Sequence, residues 1–88
     1  MNAPYTPSPT PDALHAAFLT ILPRIQLHGE VSFRGLKCPE TRSEAVAETV
    51  ALAWRWFVRM AARGKDATRF PAALATFVAR AVQSGRRL

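Results

Sequence analysis

Residues 41–64 read TRSEAVAETVALAWRWFVRMAARG, running from Thr41 to Gly64 with no proline and no glycine before the last position. Alanine is abundant inside it, which suits a helix interior. Thr41 and Glu44 have the S/T-x-x-E spacing of a capping box, which places the helix start at Thr41. Gly64 stands where a left-handed C-terminal cap is wanted, and Arg63 is the cation favoured in a last turn. Such a helix would span roughly 33 Å at ~1.5 Å per residue, about the width of a small domain. Val46, Val50, Ala53, Trp54, Phe57 and Ala61 recur at helical spacing and form one apolar stripe. The rest of the chain is expected to pack on that stripe.

The opposite face of this helix carries Glu44, Glu48, Leu52, Arg55, Arg59 and Arg63, with Trp56 at its edge. Acids lie toward the N-terminus and arginines toward the C-terminus, the order that the helix dipole rewards. One reading is a solvated face with favourable charge order. The other is a binding surface, because Leu52 and Trp56 form an apolar pair one turn apart among the charges. A third possibility is that the N-terminal tail covers Trp56.

Working outward, residues 1–10 are rich in Pro, Ser and Thr and are expected to form a mobile arm, with Tyr5 its one residue able to anchor to a core. Thr10-Pro11-Asp12 is a helix start: a capping hydroxyl, proline at the first helical position and an acid in the first turn. Leu14, Phe18, Ile21, Leu22 and Ile25 follow at helical spacing, and the stripe continues through Phe33 and Leu36. Pro23 is expected to kink or divide this helix, with a loop near His28-Gly29 as the alternative. Residues 37–40 read as a connector. Residues 64–68 read as a polar turn, and Pro71 opens a third helix with Leu74, Phe77, Val78, Ala81 and Val82 as its apolar stripe. The expected fold is all-α: a small domain of three to four helices over residues 11–88, with a bent first helix, a long central helix and a short third helix.

Eighty-eight residues allow one domain. No apolar run is long enough to span a membrane, and the N-terminus lacks the pattern of a signal peptide. The single Cys38 cannot form an internal disulfide, which fits a reducing cytoplasm. His15, His28 and Cys38 match no metal-ligand spacing, and no phosphate-cradling glycine loop is present. Glu44 and Glu48 lie one turn apart, but an exposed basic face suits surface roles better than acid–base catalysis. The expectation is a non-enzyme without metal or cofactor.

Charge separates along the chain. Residues 1–54 hold four bases and five acids, whereas residues 55–88 hold eight bases (Arg55, Arg59, Arg63, Lys65, Arg69, Arg80, Arg86, Arg87) and one acid, Asp66. A segment of net +7 points to an anionic partner, most often nucleic acid. Clustered arginines suit phosphates, and Trp56 beside them suits stacking on single-stranded bases.

Residues 44–55, EAVAETVALAWR, resemble the core helix of region two of bacterial RNA polymerase sigma factors of the extracytoplasmic-function type, which reads D-L-V-Q-E-x-F-L-x-x-W-R. Glu44, Val46, Glu48, Trp54 and Arg55 fall in register. Phe70 to Arg80 resembles the family's following F-x-x-W-L-x-x-I-A-R-N segment at its Phe, its Leu and one apolar position. Ala47, Ala73 and Arg80 stand where the family has Gln, Trp and Asn. The resemblance covers roughly residues 13–88 and implies a transcription-associated DNA-binding module that is incomplete as a sigma factor. It implies that Glu44, Glu48 and Leu52 dock on the RNA polymerase core. It further implies that Arg55, Trp56, Arg59, Arg63, Lys65 and Arg69 face DNA, with Arg80, Arg86 and Arg87 on phosphates. The alternative is a helical protein-interaction module or a fragment without independent activity.

Overall fold

The computed structural model describes residues 10–85. They form α1 (Pro11–Ser32), α2 (Pro39–Ala62), a short 3-10 turn (Ala67–Arg69) and α3 (Pro71–Gln83), and contain no strand among the described residues. The fold is all-α. The expected N-terminal arm, Tyr5, Arg86 and Arg87 lie outside the described residues.

Proline occupies the first turn of all three helices: Pro11, Pro39 and Pro71. Its fixed φ suits a helix start, and its missing N–H would have had no partner there. The three starts differ in their caps. Thr10 Oγ1 accepts from the Ala13 N–H at 3.1 Å. Cys38 and Phe70 cap α2 and α3 without a side-chain hydrogen bond. The capping box expected at Thr41 and Glu44 is therefore not the start of α2. The helix begins two residues earlier, because Pro39 had already set the backbone, and Thr41 is an exposed residue of the first turn.

Pro23 does not divide α1, which runs as one helix through Gly29, where a loop was the alternative. Gly29 is buried against α2: a Cβ built there would lie 3.4 Å from Val46 Cγ1. At the far end of α2, Gly64 has φ +77° and closes the helix as expected. The Lys65 N–H reaches the Met60 carbonyl at 2.9 Å and the Gly64 N–H reaches Ala61 at 3.0 Å, the paired bonds of a Schellman cap.

The helices run up, down and up. His15 and Phe18 in the N-terminal half of α1 meet Trp54 and Phe57 in the C-terminal half of α2. Gln83, at the end of α3, donates to the Ser32 carbonyl at the end of α1 at 3.2 Å. Phe18, Ile21, Ile25, Leu52, Ala53, Phe57, Leu74 and Val78 form the shared core, and Phe33 closes it just past the end of α1.

Two expectations fail in the core. Leu52 is buried at 9% exposure, not displayed on an outer face. As the middle helix of three, α2 needs two apolar faces. Val46, Val50, Trp54 and Phe57 serve α1, while Ala45, Thr49, Leu52 and Trp56 lie on the side of α3. Thr49, wholly buried, satisfies its hydroxyl by donating to the Ala45 carbonyl at 2.8 Å. Phe77, expected in the core stripe of α3, is 56% exposed. Ala75 and Ala79 take the buried positions instead, beside the expected Ala81, and let α3 lie close to its neighbours.

Candidate nucleic-acid interface

The end of the bundle at the C-terminus of α2 concentrates positive charge. Arg55, Arg59 and Arg63 follow one another at four-residue steps, about 6 Å apart along the helix axis at ~1.5 Å per residue. All three are exposed. The chain then reverses at Gly64, and exposed Lys65 and Arg69 extend the same end. The reversal is held from both sides. Ala67 is buried at 1% exposure and anchors the connector to the core. Asp66 Oδ1 accepts from the Thr68 hydroxyl and from the Thr68 N–H, the latter at 3.0 Å. Those bonds, the hydroxyl first, hold the Asp66 carboxyl below its ordinary pKa, with the nearby Arg69 charge adding to the effect. Asp66 thus works as a cap for the 3-10 turn, and five cations surround a single acid in this stretch.

Trp56 lies at the border of this end. It is half-buried and packs against the core. Its ring centroid is 4.8 Å from that of Phe77, at an interplanar angle of 52°. The N-terminal tail that was the alternative cover for Trp56 lies outside the described residues. Trp56 also lines a shallow cleft with Arg59, Met60 and Arg63. A second cleft, with Arg55 and Arg59 at its edge, exposes part of Trp54, Val58 and Ala62.

The structure brings together Arg55, Trp56, Arg59, Arg63, Lys65 and Arg69 at one end. Arg80 is apart from them, nine residues beyond the start of α3, where it lines a cleft with Phe77, Thr76 and Ser84. The expected docking face separates as well. Glu44 is exposed, Glu48 is half-buried beside Val82 and Gln83, and Leu52 is in the core. Glu44 and Glu48 line one cleft with Val82 and Gln83, and Leu52 alone is withdrawn from it. Glu48 sits where the end of α3 crosses α2, a position that a single-stripe reading of α2 misses. Phe77 is the surface residue missed as such; its signal was the Ala75-Ala79 pair beside it, which competes for the buried positions.

Among the described residues, no three His, Cys, Asp or Glu side chains gather as a metal-ligand set. No described helix is long and apolar enough to cross a membrane. Comparison with protein-family models, curated proteins and solved structures finds no match to this chain.

Proposed function

We propose that this domain is a nucleic-acid-binding, transcription-associated module that uses the basic end of its helical bundle and carries out no catalysis. The observation behind it is the density of cations there: Arg55, Arg59, Arg63, Lys65 and Arg69 are all exposed within one helix end and its connector. Polyphosphate chains reward such clustering through counterion release, and the half-exposed Trp56 offers an aromatic surface beside it. The sigma-like helix supports the transcription-associated part of the reading. Contact with an RNA polymerase core would fall to Glu44 and the accessible edge of Glu48, since Leu52 is withdrawn into the core. A bend at Pro23, which lacks the N–H that the Leu19 carbonyl would accept from, belongs to the same reading of the first helix. The exposed Cys38 thiol suits a reducing, cytoplasmic setting.

The test is a titration of labelled single-stranded and duplex oligonucleotides at rising salt. Binding that weakens steeply as salt rises, and that Lys65→Glu with Arg69→Glu weakens further, supports the reading. Absence of binding at low salt overturns it.

A further inference from the structure

The outward face of α3 has a different character from the basic end. Phe77 is 56% exposed and Phe70 41% exposed. Phe77 lines an open cleft with Ala72, Ala73, Thr76, Arg80 and Ser84. Trp56 continues the apolar surface toward α2, where Arg59 and Arg63 form the far margin. Exposed aromatics ringed by arginines, with small residues that let another backbone approach, are the composition of a protein interface.

We infer that this face receives an acidic amphipathic helix, its apolar side seated on Phe77 and Trp56 and its carboxylates reaching Arg59, Arg63 and Arg80. Charge selects the occupant. No residue lining either cleft is acidic, while arginines stand on both margins. A second copy of this chain would bring the same arginines against them, on a molecule of net +6. Among the described residues, Arg80 is the one cation in the α3 cleft, whose other walls are alanine, phenylalanine, threonine and serine, a poor match to a phosphate backbone. Laying an apolar helix face into an apolar groove, with rim charges fixing orientation, is a common recognition mode for helical peptides. The face shares Trp56, Arg59 and Arg63 with the basic end, but Phe77 and Arg80 lie outside that end, so variants of those two residues separate this inference from the nucleic-acid reading.

The experiment uses the full chain and a fluorescein-labelled acidic amphipathic peptide of about five helical turns. Two controls have the same net charge: a scrambled peptide whose apolar residues no longer share one face, and a polyglutamate. Anisotropy is read at near-physiological salt. The expected result is saturable binding of the amphipathic peptide, about tenfold or more tighter than either control. Phe77→Asp and Arg80→Glu should each weaken it about tenfold, while Lys65→Glu with Arg69→Glu leaves it within about twofold. Because Phe77 is exposed, its variants are checked by thermal melt to confirm a retained fold. Equal binding of all three anionic probes overturns the inference, as does undiminished binding by a folded Phe77→Asp variant. Displacement of an oligonucleotide by the peptide, with Phe77→Asp weakening both alike, would assign the face to nucleic acid and overturn it too.

Discussion

Single residues decide opposite outcomes for the same substitution at two glycines. Gly64 has φ +77°, where a Cβ is penalised, and nothing nearby would gain from it. Gly64→Ala should therefore cost about 1 kcal/mol and lower the melting temperature by about 4–8 °C for a domain of this size. Gly29 lies inside α1 in helical conformation, and an added Cβ would make ordinary contact with Val46 at 3.4 Å. Gly29→Ala should stabilise by up to about 1 kcal/mol, since alanine is the better helix former. A melt of the two variants side by side checks both signs. Cys38 gives a third residue-scale prediction. The Thr41 N–H, then the Thr41 hydroxyl and the Glu40 N–H, draw its exposed thiol below the ordinary pKa. The pH profile of its alkylation by iodoacetamide should lie at lower pH in the folded protein than in urea. Coincident profiles would show that the helix start does not act on it.

At the scale of the helices, periodicity carried most of the information and proline carried the rest. Thr10-Pro11-Asp12 and Phe70-Pro71 were legible as helix starts, and the same signal at Cys38-Pro39 was obscured by the capping-box spacing at Thr41. The long α2 was legible, but only one of its two apolar faces was. Leu52 and Trp56 stand among charged residues in the sequence, and their burial depends on α3 arriving from a distant part of the chain. Phe77 was misplaced for a related reason. Hydrophobicity ranks it above Ala75 and Ala79, whereas close helix approach favours the alanines. These corrections make a paired prediction. Leu52→Ala should destabilise by about 2–4 kcal/mol, as expected for a truncated core leucine. Phe77→Ala should cost about 1 kcal/mol or less, the scale of its contact with Trp56. Chemical denaturation of both variants reads this directly; similar losses would contradict the assigned burial.

At the scale of the molecule, the charge asymmetry of the sequence becomes a spatial one. The excess of bases after residue 54 was legible from the order of residues alone. What that order could not reveal is that Arg55, Arg59, Arg63, Lys65 and Arg69 share one end of the bundle while Arg80 lies farther along α3, beyond Phe77. That division depends on the reversal at Gly64 and the anchoring of Ala67. It gives the nucleic-acid reading a quantitative form, because five cations on a single strand correspond to a salt slope of about −3.5 if each meets a phosphate. The most direct measurement is the affinity for a fluorescent single-stranded oligonucleotide across a series of salt concentrations, for the natural chain and for Lys65→Glu with Arg69→Glu. The account predicts a slope of about −3 to −4 in log affinity against log salt, reduced by about 1.4 in the double variant. A flat salt dependence, or equal affinities for the two proteins, would contradict it.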